Sequence, residues 1–296
     1  MRIALVGAGG QLASDLLPLL PVDAVPLSHN EIELTDPDSV ARALERVDPD
    51  VVINTAAYNL VDQAEDEPAV ALSVNAIGAR HLALACRDRH CTMVHLSSDY
   101  VFGLDAERRR PYREDDCPGP VSVYGTSKLA GELFVRSLCP KHVIVRTCGL
   151  YGLAGSRGKG GNFVETMLRL SRRVDGSEPA MAQNLQVVDD QCCTPSATLD
   201  VARAVAFLAS TDQYGLYHVT NSGSCTWFEL AREIFRLEKI DVAIAPITSA
   251  EFGARAARPA YSVLACDRYE RLGGAPLPPW REALASYLEQ RRQAPS

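Results

Sequence analysis

Residues 3–12 have the sequence Ile3-Ala-Leu-Val-Gly-Ala-Gly-Gly-Gln-Leu12, in which an apolar run leads directly into a glycine-rich turn. Its first four residues form a short apolar run, which is typical of a strand buried in a parallel sheet. Glycines follow at once with the spacing Gly7-x-x-Gly10-x-x-Ala13. In that position they let the backbone turn tightly and approach a pyrophosphate at the N-terminus of the following helix. The stretch therefore predicts a strand, a phosphate-binding turn and a helix.

Strand and helix patterns alternate through the rest of the first half. The predicted strands cover residues 22–27, 51–54, 92–97 and 142–146, and the predicted helices cover residues 11–20, 67–89 and 122–138, with another helix that begins at Asp36-Pro37. Strands separated by helices favour a parallel sheet with right-handed crossovers. We therefore expect an α/β fold with a doubly wound parallel sheet of the Rossmann type.

The pattern is looser after Tyr151. A glycine-rich loop is predicted at residues 152–161, with helices at residues 162–173, 198–209, 226–238 and from Trp280, and short strands at residues 185–188 and 216–219. We expect residues 1–151 to form the dinucleotide-binding domain, joined by return segments near residues 189–215. Residues 152–296 then form mainly a smaller C-terminal α/β lobe that binds substrate.

Composition narrows the classes of partner. The 296 residues carry a formal net charge of -7, which disfavours nucleic acid because phosphate binding needs a concentrated basic face. The nine cysteines are scattered and odd in number, which is typical of reduced thiols in a cytosolic protein. We find no signal peptide and no apolar run long enough to cross a bilayer, so we expect no membrane partner and a cytoplasmic location.

The most specific chemical signal is Tyr124-Gly-Thr-Ser-Lys128, together with Ser98 at the end of a predicted strand. Tyr and Lys four residues apart lie on the same face of a helix. Reduction of a ketone requires a proton for the developing alkoxide, and a phenol can donate it if a neighbouring ammonium lowers its pKa from ~10. Lys128 would supply that charge and hold the nicotinamide ribose, and Ser98 would hydrogen-bond the substrate carbonyl.

An isolated pair of this spacing is more often a core tyrosine and a surface lysine. Here the glycine turn lies upstream and a strand ending in hydroxyl residues lies between the two motifs. This combination favours a functional site over a purely structural one.

The chain resembles the dTDP-4-dehydrorhamnose reductases, a family of extended short-chain dehydrogenases. The resemblance runs through almost the whole sequence. Its main motifs are Gly7-Ala-Gly-Gly-Gln-Leu12, Asn54-Thr-Ala-Ala-Tyr58, Val74-Asn-Ala76, Val94-His-Leu-Ser-Ser-Asp-Tyr-Val-Phe102, Tyr124-Gly-Thr-Ser-Lys128, Asn162-Phe-Val164, Val188-Asp-Asp-Gln191 and Arg258-Pro-Ala-Tyr-Ser262. The family implies reduction of the 4-keto group of a dTDP-4-keto-6-deoxy sugar, in dTDP-L-rhamnose biosynthesis.

The resemblance also implies residue roles. The cofactor would be bound by Gly7, Gly10, Gln11, Leu12, Ala56, Ala57, Tyr58 and Lys128. The catalytic residues would be Ser98, Tyr124 and Lys128. The nucleotide-sugar substrate would contact Ser98, Tyr124, Asn162, Phe163 and Arg258, although Phe163 alone is more often a core residue and Arg258 a surface ion pair.

Three positions depart from the family pattern. Ser98 replaces a threonine and keeps the hydroxyl, whereas Cys193 replaces a glycine and Gly149 replaces a tryptophan beside the sugar subsite. The last two put the particular sugar in doubt. Tyr151, or a residue of the loop at residues 155–161, could fill the space left at Gly149.

The cofactor is expected to be NADPH by family habit, or NADH, because Leu27-Ser-His-Asn-Glu31 places neither an acid nor an arginine unambiguously at the end of the second strand. Some family members use magnesium, chiefly to join subunits. Asp189 and Asp190 could bind it, but adjacent acids at a strand end are more often caps or solvated charges, so no metal ligand is predicted. The oligomeric state is open, with a homodimer as one option.

Two other functions stay open at this point. The regulatory subunit of methionine adenosyltransferase looks similar and binds a dinucleotide without catalysis, but it has no need to keep Ser98, Tyr124 and Lys128. An epimerase or dehydratase of the same superfamily would reuse the Tyr and Lys. Dehydratases commonly add an acid pair beside the catalytic hydroxyl, whereas here Asp99 is followed by Tyr100.

Overall fold

The computed structural model of the protein describes residues 1–155, 161–174 and 185–294, so residues 156–160 of the predicted glycine-rich loop lie outside it. The strands are β1 Ile3–Val6, β2 Val25–Leu27, β3 Val51–Asn54, β4 Thr92–Ser98, β5 His142–Thr147, β6 Leu150–Tyr151, β7 Leu185–Val188, β8 Cys192–Cys193, β9 Ser196–Ala197, β10 Gly215–His218, β11 Cys225–Thr226 and β12 Ile244–Ile247. The helices are α1 Gln11–Leu16, α2 Pro37–Val47, α3 Val61–Ala64, α4 Pro68–Leu72, α5 Ala79–Asp88, α6 Val123–Leu138, α7 Phe163–Val174, α8 Thr198–Ala209, α9 Trp227–Glu238, α10 Ser249–Phe252, α11 Asp267–Arg271 and α12 Trp280–Gln293.

The main sheet of the described chain has the order β10-β5-β4-β3-β1-β2, and every neighbouring pair in it is parallel. The predicted doubly wound sheet is therefore confirmed. Strand order reverses between β1 and β3, because the chain first builds outward to β2 and then crosses to the other side of β1. At such a reversal the connecting loops diverge and leave a crevice at the carboxyl ends of the strands. The glycine turn after β1 and the loop after β3 both lie at this crevice.

Helices cover both faces of the sheet. On one face α1 and α8 pack against the strands, and their buried side chains include Leu12, Leu16 and Val205. On the other face α2 and α5 pack in a second layer, with Leu44 and Leu82 fully buried. Strands buried on both faces explain why β1 and β3 are apolar at nearly every position.

The second half of the chain builds a lobe of its own and also returns to the sheet. The lobe core gathers apolar residues of α7, α9 and α12 against β7, which pairs in parallel with β12. The return is made by β10, which pairs with β5 at the edge of the main sheet.

Local sequence signals set several element ends. The helix that begins at Gln11 ends at Leu16 and continues as a 3-10 turn through Pro18, as the proline predicts. The side chain of Asp36 caps α2 by accepting a hydrogen bond from the Asp38 N–H at 2.9 Å. The long helix predicted at residues 67–89 is not uniform, because Ser73–Gly78 forms a π-helical turn between α4 and α5.

The expectation that no apolar run could cross a bilayer is wrong for one stretch. Among the described residues, Pro68–Asp88 spans 21 residues and is long and apolar enough by length and composition. Its C-terminal part packs in the core, where Leu82 and Ala83 of α5 are fully buried, whereas Val70, Leu72 and Ile77 are exposed. The same composition is typical of a core helix, which this stretch is in part.

Candidate active site

The glycine turn after β1 is shaped by contact with the end of β3. Gly7 has φ +82°, and a Cβ there would lie 2.6 Å from the Ala56 nitrogen and 2.9 Å from the Thr55 hydroxyl oxygen. Only glycine fits, for both conformational and steric reasons. The Gly10 N–H donates to the Gly7 carbonyl at 2.9 Å and closes the turn.

This turn suits the pyrophosphate of a dinucleotide. No side chain caps α1, so the N–H groups of its first turn have no intrahelical partners and remain available to an anion. Gln11 and Leu12 occupy that first turn. The Leu12 side chain is buried in the core, which leaves its backbone to face a ligand.

The loop after β3 is held by amide side chains that sequence analysis did not single out. Asn54 accepts a hydrogen bond from the Ala56 N–H at 3.1 Å. Asn75, in the π-helical turn, pairs with both the N–H and the carbonyl of Tyr58 at 2.9 Å. Asn75 also donates to Ser127 of α6 at 2.9 Å. Asn75 thus joins the loop Ala56-Ala57-Tyr58 to the helix that carries the predicted catalytic pair.

The structure brings Ser98, Tyr124 and Lys128 together where β4 ends against α6. Gly125 makes this approach possible, because a Cβ there would lie 2.2 Å from the Tyr100 carbonyl oxygen. The start of α6 is fixed by Ser122, which accepts a hydrogen bond from the Gly125 N–H at 3.2 Å.

The expected effect of Lys128 on Tyr124 is wrong. Burial raises the pKa of Tyr124 to about 12; a hydrogen bond with Ser98 lowers the pKa and the charge of Asp99 raises it. The ammonium of Lys128 instead donates to the Leu96 carbonyl at 2.6 Å, and burial lowers the pKa of Lys128 to about 8. Loss of water around the phenol therefore outweighs any cation nearby. Tyr124 is protonated at neutral pH, as a proton donor must be.

Ser98 is anchored by a buried carboxylate. Its hydroxyl donates to Asp99 Oδ1 at 3.0 Å. The other oxygen of Asp99 accepts hydrogen bonds from Ser262 at 2.6 Å and Cys148 at 3.0 Å. Burial raises the pKa of Asp99, and these three hydrogen bonds oppose that rise.

Behind the site lies a buried ion pair that sequence analysis missed. Arg146 on β5 donates to both oxygens of Glu132 on α6, at 2.8 and 2.7 Å. Ser97 of β4 donates to the same carboxylate at 2.5 Å. Both charged side chains are about 1% exposed. The bidentate pair ties together the three elements that carry the site.

The predicted substrate residues lie on the lobe side. Asn162 donates to the Gln11 side chain at 3.2 Å and caps α7 by accepting from the Glu165 N–H at 3.0 Å. Phe163 packs against Trp227, with ring centroids 4.8 Å apart.

Arg258 already has a strong partner. Its guanidinium makes two hydrogen bonds to Asp62, at 2.7 and 3.1 Å. It also hydrogen-bonds Tyr100. Burial lowers the pKa of Arg258, but the hydrogen bond to Asp62, and after it the contact with Tyr100, raise the pKa above its usual value. The ring of Tyr100 meets that of Tyr124 edge-on at 5.6 Å. Arg258 is thus separated from Tyr124 by a single side chain, with its charge paired to Asp62.

The two acids considered as metal ligands each accept a hydrogen bond at the start of a helix, Asp189 from the N-cap residue of α9 and Asp190 from the first residue of α10. Asp189 accepts a hydrogen bond from the Thr226 hydroxyl at 2.5 Å, and Asp190 accepts from the Ser249 N–H at 2.9 Å.

At the end of β2, Glu31 accepts a hydrogen bond from the Ser28 N–H at 2.6 Å. The Ser28 N–H, directly after the strand, is therefore already paired with the Glu31 carboxylate.

The space beside Gly149 is not filled by Tyr151, contrary to one expectation. Tyr151 is 1% exposed and meets Tyr287 edge-on at 5.1 Å, inside the lobe core. The other candidate filler, the loop at residues 155–161, lies mostly outside the described residues. The side chain nearest to Gly149 apart from Pro195 is Trp227.

Comparison with known proteins identifies the family of the chain. A family model described as RmlD substrate binding domain matches residues 1–293. A dTDP-4-dehydrorhamnose reductase of Streptomyces griseus is 42% identical over 293 residues, covering 96% of this chain and 91% of that protein. A dTDP-4-keto-6-deoxy-D-glucose reductase of Streptomyces niveus is 38% identical over 290 residues, covering 96% and 95%. The crystal structure of a Bacillus anthracis dTDP-4-dehydrorhamnose reductase in complex with NADP has a TM-score of 0.89 at 37% identity, covering 98% of this chain and 99% of that one.

Proposed function

This chain belongs to the dTDP-4-dehydrorhamnose reductase family, and from that premise we propose that it is an NADPH-dependent reductase of the 4-keto group of a dTDP-4-keto-6-deoxy sugar. The observation that carries the proposal is the arrangement of Tyr124, which is protonated at neutral pH, bonded to Ser98 and one helical turn from Lys128. The relatives named above act, by their names, on two such keto sugars. A relative that binds NADP supports the choice of cofactor.

The residues of the chain divide the chemistry between them. Bound NADPH supplies the hydride. Tyr124 holds a proton at its hydroxyl and gives it to the oxygen of the substrate carbonyl as negative charge develops there. Ser98 stands beside that carbonyl; Asp99 accepts its one hydroxyl proton in this structure, and that proton turns to the carbonyl oxygen when the substrate binds. Lys128 stands one turn further along α6, where a cofactor ribose would lie. Asn162, Phe163 and Arg258 lie on the sugar side.

A non-catalytic role is the weaker alternative. A protein that only bound a dinucleotide would not need a buried phenol bonded to a serine that is itself anchored by Asp99. The cytoplasmic location and the homodimer remain predictions.

The test is the oxidation of NADPH, and separately of NADH, by the purified protein in the presence of dTDP-4-keto-6-deoxy sugars. We expect Tyr124→Phe to lower kcat by about 10²–10⁴ because the proton donor is lost, with NADPH affinity unchanged. Tyr112→Phe is a matched control, since the Tyr112 hydroxyl is buried without a hydrogen-bond partner in the described chain and its removal should leave kcat unchanged. Undiminished turnover by Tyr124→Phe, or no turnover of any such sugar by the wild type, would refute the proposal.

A further inference from the structure

An indole reaches the catalytic edge of the sheet from the lobe. Thr147 is the register partner of Ser98, so the chain that leaves β5 starts beside the catalytic hydroxyl. Two residues later, a Cβ at Gly149 would lie 3.5 Å from Cη2 of Trp227. The six-membered ring of Trp227 therefore lies within van der Waals contact of a Cβ at position 149 and borders the space beside it, together with Pro195.

The indole belongs to an aromatic pair on the route between the two halves of the site. Trp227 and Phe163 pack with their ring planes inclined by 45°, and each ring is partly exposed. Phe163 follows Asn162, whose side chain bonds Gln11 in the glycine turn. The pair thus lies between the cofactor turn on one side and the end of β5 on the other.

The position of Trp227 is fixed by the start of α9. Thr226 accepts a hydrogen bond from the Glu229 N–H at 3.1 Å, and Glu229 accepts one from the Thr226 N–H at 2.9 Å. The Thr226 hydroxyl also donates to Asp189 at the end of β7. This capping box, tied to a strand, fixes the backbone from which the indole projects. The indole N–H has no hydrogen-bond partner in the described part of the chain.

We propose that Trp227, supported by Phe163, is the aromatic wall of the sugar subsite and a determinant of sugar specificity. A deoxy-sugar ring presents C–H groups and a methyl group, and these pack favourably against an aromatic face in a partly desolvated pocket. The proposal rests on the proposed function and adds which side chain recognises the sugar.

Kinetics of Trp227 variants provide the first test. We expect Trp227→Ala to raise KM for the keto sugar about tenfold, with kcat and NADPH affinity unchanged, and Trp227→Phe to raise it less. Phe228→Ala is the matched control: its ring is the next along α9, lies 5.9 Å from the Arg232 guanidinium and borders a different surface groove, so KM should not change. Gly149→Trp should raise KM as well, because the backbone there has φ +54° and a Cβ would be crowded by Pro195 and touch Trp227.

Fluorescence provides a readout without turnover. The chain has two tryptophans, and Trp280 is 2% exposed in the lobe core, so Trp280→Phe leaves Trp227 as the sole indole. With NADP⁺ saturating, dTDP-L-rhamnose should change the emission of Trp227, whereas dTDP alone should not.

The outcomes separate the two proposals. Inactivity of the wild type on every dTDP-4-keto sugar refutes the proposed function. The aromatic wall alone is refuted if the enzyme is active, Trp227→Ala leaves KM for the keto sugar unchanged, and the emission of Trp227 does not change when the sugar nucleotide binds.

Discussion

His218 is a buried group whose titration should weaken the fold in mild acid. It is fully buried at the end of β10, with Nδ1 3.1 Å from the Tyr112 carbonyl and Nε2 3.4 Å from the Arg146 guanidinium. An imidazole that donates through Nδ1 and faces a cation through Nε2 is held in the neutral form. Burial first, and then Arg146, lowers the pKa of His218 to about 3.

The sign and size of the effect follow from linkage. In the unfolded chain His218 takes up a proton near pH ~6.5, whereas in the folded protein it does so only near pH 3. As the pH falls below ~6.5 the unfolded state binds more protons, so stability is lost on acidification. For these two pKa values the loss between about pH 7 and about pH 5 is about 2 kcal/mol.

The assay is urea unfolding of the wild type and of His218→Gln across that pH range. The amide can still donate to the Tyr112 carbonyl but does not titrate. We expect the free energy of unfolding of the wild type to fall by about 2 kcal/mol more than that of the variant. His29→Gln, at a side chain that is 83% exposed, should follow the wild type. Parallel pH profiles for wild type and His218→Gln would refute the reasoning.

Two further changes test the frame of the site and the glycine turn. Arg146→Met should lower the free energy of unfolding by about 3–5 kcal/mol, because Glu132 is left charged in a buried place, and Glu132→Gln/Arg146→Met should recover much of the loss in the same urea assay. Gly10→Val should still fold, since Gly10 has φ -83° and a Cβ there meets only the Gly7 carbonyl, at 3.1 Å, which needs a small local shift of the turn. It should nevertheless abolish NADPH binding in calorimetry by filling the pyrophosphate cradle. A single Arg146→Met variant as stable as the wild type, or a folded Gly10→Val protein with undiminished NADPH affinity, would contradict these expectations.

The parts of the site predicted from sequence are those that depend on local periodicity. The turn at Gly7 follows directly from an apolar strand, and the spacing of Tyr124 and Lys128 puts both on one side of a helix whatever the rest of the fold. The hydrogen bonds by which Asn75 holds Tyr58 were not predicted. They depend on a π-helical turn, and the sequence there has the same periodicity as an ordinary α-helix.

The electrostatics could not be predicted in the same way, because a sequence gives neighbours along the chain but not the loss of water. The spacing of Tyr124 and Lys128 predicted a lowered pKa for the phenol, yet burial raises that pKa. The ammonium of Lys128 donates a hydrogen bond to the Leu96 carbonyl instead. The Glu132–Arg146 pair was invisible for a related reason. It exists only because α6 packs across β5 and brings the two side chains together in the core.

Gly149 shows the same difference at the proposed sugar subsite. Judged by sequence alone, a glycine at a position where the family resemblance implies tryptophan indicates an empty subsite. In the fold, φ at Gly149 is +54° and a Cβ would lie 3.1 Å from the Pro195 backbone, so a side chain there is strained and crowded. The ring of Trp227, on helix α9, borders the same space at van der Waals distance. Gly149 and Trp227 therefore form one feature of the pocket, and a substitution at either must be judged by its effect on the other.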